Sequence, residues 1–131
     1  MARSLQLRTF QIGAPPKRGE GLRIGAARHP PRGVAKSRWR EDGFFDVWLP
    51  VIAPSAALIH RYRKDLGDAA IRKRFFQAYE REMQQPAPRH VIELLAALAE
   101  RTPIAVGCFC DDESHCHRSR LVELIRRVHV S

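Results

Sequence analysis

The 131-residue sequence predicts a single α/β domain, a small and mainly parallel sheet flanked by helices in Rossmann-like layers. Three observations lead there. A short strand-like run opens the chain, three successive segments in the middle carry apolar residues at helical spacing, and "PIAVGCFC" (103–110) is apolar throughout. An apolar run of that length suits a strand buried on both faces, as in a parallel sheet, and an amphipathic helix follows it. At 44% hydrophobic residues the chain is long enough for one core and too short for two.

"LQLRTFQIG" sets Leu5, Leu7 and Thr9 against Gln6, Arg8 and Phe10 and predicts a first strand ending at Gly13. Residues 1–21 are then this strand plus an exposed loop, since Pro15, Pro16, Gly19 and Gly21 mark a turn. "GLRIGAAR" predicts a second strand, and Pro30, Pro31 and Gly33 make the following stretch a loop. "FFDVWLPVIAPS", broken by Pro50 and Pro54, reads as irregular structure packed on the core. Ser55 is a candidate N-cap for a short helix reaching toward Gly67. Asp68 is the candidate cap of a second helix, with Ile71, Phe75, Tyr79 and Met83 on one face. Pro88 suits the first turn of a third, whose buried stripe is predicted as Val91, Leu94, Leu95 and Leu98. After the "PIAVGCFC" strand, a helix over about 118–127 places Leu121, Leu124, Ile125 and Val128 together.

No run of apolar residues is long enough to span a bilayer, and the opening segment lacks the apolar core of a secretory signal. A cytoplasmic protein with no membrane partner is the expectation. Three cysteines within nine positions, in a reducing compartment, predict no structural disulfide. Charge is unevenly placed: residues 1–40 hold ten Lys or Arg against Glu20 alone, so the whole net charge of +9 resides there. That segment predicts positive potential facing phosphates, carboxylates or nucleic acid, although a charge run is more commonly a solvated face.

The chemistry concentrates in "GCFCDDESHCHRS" (107–119). It begins at the carboxyl end of a predicted strand and ends on the first turn of a predicted helix. Open α/β sheets bind ligands at that edge, where unpaired helix N–H groups point into the crevice. Arg28 and Arg32 follow another strand, and if the two strands are parallel neighbours their loops share the edge. Arginine favours planar bidentate partners such as phosphate and carboxylate.

Two other chemistries compete for the same residues. Cys108, Cys110, Cys116 and His115 or His117 supply four soft ligands for zinc, yet the spacing C-x-C-x5-C-H lacks the paired C-x2-C knuckles of specific zinc motifs. Cys116, at a helix start beside His117 and Arg118, has the surroundings of a reactive thiol. The spacing of five residues between Cys and Arg used by cysteine phosphatases is absent.

"CFCDDESHCHRSRL" resembles the C-terminal motif of the domain of unknown function 488 family, with Cys108, Cys116, His117 and Arg118 at matching positions. Cys110 stands where that family usually has Glu; either Asp111, Asp112 or Glu113 substitutes for that carboxylate or the extra thiol is incidental. "PRGVAK" (31–36) is similar to the Trp-Pro-Arg-Gly-Val motif of its YeaO-like branch, with Pro30 where that Trp would stand and Ala27 where an Asp usually precedes the Arg matched by Arg28. "VWLPVIAPS" matches at Trp48, Leu49, Ala53, Pro54 and Ser55, and "RFFQAYEREM" at Phe75 or Phe76, Tyr79 and Glu82. The resemblance covers roughly residues 22–128 and implies an α/β fold without an established activity.

The combined expectation is a pocket for a small anionic or phosphate-containing ligand. Arg28, Arg32 and Arg118 hold the anion, His117 moves a proton, and Cys116 acts as a nucleophile or shapes the turn. Cys108, His115 and Ser119 support the pocket, and no metal or cofactor is assigned. An enzyme acting on a nucleotide or nucleic-acid component suits this site. The alternatives are a non-catalytic basic nucleic-acid-binding module and a metal-binding protein.

Overall fold

The computed structural model describes residues 4–110 and 112–130, so Arg3 and Asp111 lie outside the described residues. Four parallel strands form one sheet in the order β1-β4-β2-β3: β1 (Leu7–Gln11), β2 (Leu22–Gly25), β3 (Val47–Trp48) and β4 (Ile104–Cys108). Helices α1 (Ala56–Tyr62), α2 (Ala69–Met83) and α3 (Pro86–Arg101) connect β3 to β4, and α4 (His117–Val130) closes the described chain. The α/β class read from the sequence is the fold observed. None of the described helices is long and apolar enough to cross a membrane.

β4 is central because it can be buried on both faces. Every one of its residues is buried, and it pairs in parallel with β1 on one side and β2 on the other. Its alternation divides the core. Ile104 and Val106 join Leu7, Ile24 and the buried residues of all four helices, including Phe75, Tyr79, Leu95, Leu121 and Ile125. Ala105 faces the other way, with Phe10, Ile12, Ala27 and Phe45, and Trp39, Phe44 and Trp48 pack over them. An aromatic loop rather than a helix therefore covers the second face. Gly25 and Gly107 are register partners, and a Cβ at either would lie within 3.0 Å of the Phe45 or Phe10 ring.

Capping follows the sequence. Ser55 Oγ accepts from the Leu58 N–H, and the Asp68 carboxylate accepts from the Ala70 and Ile71 N–H groups. Three details differ from expectation. Residues 44–55 are not wholly irregular: they hold β3 and a 3-10 turn at Pro50–Ile52, elements too short for periodicity to register. α1 ends at Tyr62, well before Gly67. On α3 the buried residues are Pro88, Ile92, Leu95, Ala96 and Ala99, while Leu94 is 64% exposed. That face presents small alanines for close packing, so the largest apolar residues do not mark it.

The basic first third is also less naked than its count suggests. Arg23 is buried, its Nε 2.8 Å from Glu20 Oε1, its guanidinium 4.1 Å from the Phe10 ring centroid, and its Nη groups donate to the Gly43 and Ala14 carbonyls. Arg38 pairs with Glu41 and Asp42, and Arg40 with Asp46.

Candidate functional site

Because β2 and β4 are parallel neighbours, the chain leaves both at the same sheet edge, and two further bonds lock the exits together. The Ala26 N–H donates to the Gly107 carbonyl at 2.7 Å, and His117 Nε2 lies 2.5 Å from the Ala26 carbonyl oxygen. Above this junction is a cavity of about 240 Å³. The β2 exit supplies Ala27, Arg28 and His29, and the β4 exit supplies Cys108, Phe109, Cys110, His115, Cys116 and His117. The helical side adds Pro54, Ile59, Arg63, Leu66 and Phe75. The walls are largely apolar, and every charged or imidazole side chain among the lining residues is Arg or His.

His117 is the most constrained of these groups. It is buried, edge-on to the Tyr79 ring with centroids 5.4 Å apart. A carbonyl oxygen only accepts, so the contact with Ala26 requires the proton on Nε2 and leaves Nδ1 as a bare acceptor, 3.6 Å from Cys116 Sγ. Burial, with the nearby Arg118 and Arg28 charges adding to it, pushes the imidazole pKa down to about 4, against the opposing pull of the Ala26 carbonyl. The ring is therefore neutral near pH 7. Tyr79, fully buried, donates its hydroxyl to the Ile52 carbonyl at 2.7 Å, and burial raises its pKa well above the ordinary value.

The arginines divide into different roles. Arg28 is half-buried at the cavity, where Nε and Nη2 donate to the Pro54 and Ala53 carbonyls and leave Nη1 unspent on those bonds. Arg118 is buried beneath the turn, and its Nη1 lies 2.7 Å from the Cys110 carbonyl oxygen, 3.4 Å from the Cys108 carbonyl oxygen and 3.3 Å from Cys108 Sγ. It braces the turn and is not among the lining residues. Arg32 is exposed and lines none of the described pockets. Ser119 donates its hydroxyl to the Cys116 carbonyl at the start of α4.

The cysteines converge. Cys108 and Cys116 are joined by a disulfide at the edge of the cavity, across eight residues of sequence. This corrects the expectation of no disulfide: the end of β4 and the start of α4 lie side by side once the 3-10 turn Glu113–His115 doubles the chain back. Cys110 is exposed on the same turn, and the three sulfurs lie within 4.8 Å of one another. Asp112 and Glu113, the described acidic residues between them, make their bonds elsewhere. Asp112 accepts from the Ser114 N–H and hydroxyl and pairs with His115, while Glu113 accepts from the Thr9 hydroxyl, and neither lines the cavity.

His29, Arg63 and Phe75 also line the cavity, although the sequence reading did not name them as site residues. His29, next to Arg28 in an arginine-rich loop, was the one readable signal. Arg63 caps the C-terminus of α1, which packs on α2.

Comparison with known families gives one result. Residues 7–129 match the family model DUF488-N3a, described as the active DUF488-N3 subclade. None of the curated proteins and none of the solved structures compared matches the chain. The chain belongs to the DUF488 family, in its active DUF488-N3 subclade.

Proposed function

We propose that the cavity binds a small molecule with a phosphate or carboxylate group and an apolar or ring-shaped body, a nucleotide component being the class that combines both, and that the protein is an enzyme acting on it. The supporting observation is that the β2 and β4 exits line one cavity whose charged and imidazole side chains are all Arg or His. In this reading Arg28 Nη1 meets the anion, with Arg63 adding positive potential at the rim and the His29 ring offering a hydrogen bond there. The apolar walls take the body of the ligand. His117, neutral with a fixed tautomer, is the proton acceptor at the floor. Arg118 and Ser119 hold the turn, and Cys116 shapes it. The description of the subclade as active accords with a catalytic use of this corner. A cytoplasmic setting, whose thiol pools keep cysteines reduced, is part of this reading and implies that the Cys108–Cys116 pair opens there.

The test is binding of adenosine monophosphate and, separately, inorganic phosphate to the reduced full chain by calorimetry, for wild type and Arg28→Gln. One charge-assisted hydrogen bond is worth roughly 1.5–3 kcal/mol, so the variant should bind about tenfold or more weakly while its thermal unfolding stays cooperative. Saturable wild-type binding that Arg28→Gln leaves unchanged, or no saturable binding of either probe, contradicts the proposal. The basic-module reading draws on the same arginines, but Arg23, Arg38 and Arg40 are already paired with acidic residues, which favours the pocket.

A further inference from the structure

We infer that the reduced thiols of Cys108, Cys110 and Cys116 form a three-sulfur site for a thiophilic divalent cation, zinc above all, with its fourth coordination position turned to the cavity. The sequence spacing argued against a zinc knuckle, and a knuckle is not what the fold builds. Cys108 ends β4, Cys110 lies two residues beyond it and Cys116 directly precedes α4, and the 3-10 turn Glu113–His115 brings them together. The three sulfurs lie within 4.8 Å of one another, and all three residues line the cavity.

Two observations support a metal here. The α-carbons of Cys108 and Cys116 are 7.6 Å apart, wider than the roughly 4.4–6.8 Å usual for a disulfide. Sulfurs sharing a zinc ion at about 2.3 Å each sit about 3.8 Å apart, a separation that fits the wider backbone spacing. The second is the placement of Arg118. Three thiolates on a dication leave one net negative charge, and the buried guanidinium sits 3.3 Å from Cys108 Sγ while bonding the Cys110 carbonyl, so it offsets that charge and fixes two of the ligand-bearing residues.

A two-electron reductant, a low-molecular-weight thiol or the phosphine used below, first converts the Cys108–Cys116 disulfide to two thiols and is itself oxidised. Metal binding then replaces each S–H bond by an S–metal bond and releases the proton to solvent. Three protein ligands with an open fourth position is the arrangement of catalytic rather than purely structural zinc. The open position deepens the proposed function, since it faces the pocket assigned to the anionic ligand. Metal binding itself does not depend on that assignment.

The experiment uses the untagged full chain reduced with a phosphine and titrated with Co²⁺, without any organic ligand. A thiolate-to-cobalt charge-transfer band should saturate at one metal per chain and be displaced by Zn²⁺. Cys110→Ser, at an exposed position, should keep the wild-type circular dichroism and bind cobalt at least tenfold more weakly, as should Cys116→Ser. Absence of the charge-transfer band, or a Cys110→Ser variant that binds as tightly as wild type, overturns the proposal. Cobalt binding with no saturable binding of either adenosine monophosphate or inorganic phosphate would sustain the metal site and reject the ligand pocket, so the two failures are distinguishable.

Discussion

His117 and Arg118 are adjacent, both buried, and hold their places by opposite means. The imidazole is kept neutral by burial, and its folded pKa of about 4 lies below the ordinary 6.5. Between those values the unfolded chain takes up the proton more readily, so this contribution to stability is complete above about pH 6.5 and is lost as pH falls toward 4. Its size is on the order of 3 kcal/mol at most. Urea denaturation of the reduced, metal-free protein should show this acid loss, and His117→Gln should flatten it. An unchanged pH profile in the variant would remove His117 as its source. Arg118 is held by the groups it bonds. Arg118→Met takes away every Nη1 contact to Cys108 and Cys110 and should cost about 2–4 kcal/mol in urea denaturation. Lysine, with a single ammonium in place of the planar fork, should not restore it.

At the scale of elements, the sheet depends on two paired glycines. Gly107→Ala would push a methyl against the Phe10 ring and should cost about 1–3 kcal/mol, and Gly25→Ala should do the same through Phe45. Gly67→Ala meets nothing within 4 Å and should leave the unfolding midpoint within error. α3 offers a second contrast: Leu95→Ala should lose about 2–5 kcal/mol, whereas Leu94→Lys should be nearly neutral. The helices and their caps at Ser55 and Asp68 were legible because caps and four-residue spacing are local signals. On α3 the predicted Leu95 is buried and Val91 and Leu98 pack against the core, but Leu94 was misplaced because burial there selects Ala96 and Ala99, whose size permits close approach. β3 was missed because two residues hold no period, and its pairing depends on β2, distant in sequence.

In the whole molecule, the site exists because chain order and spatial order differ. β4, last in sequence, inserts between β1 and β2, which brings a loop near residue 28 beside a turn near residue 116. The sequence supported this juxtaposition through Arg28, His117 and the strand before Cys108. It could not show that Arg118 would turn inward, that Arg32 would stay at the surface, or that the three sulfurs would meet, because each depends on the path of the 109–116 turn in three dimensions. The excess charge of the first third is likewise moderated by pairs that only the fold forms. The most direct test of the shared site is amide chemical-shift mapping of the reduced, uniformly labelled chain during titration with adenosine monophosphate. The account predicts that residues 26–29 and 115–119 shift together, with one dissociation constant. Shifts confined to the exposed basic residues around 17–18 and 36–40, vanishing with added salt, would contradict it.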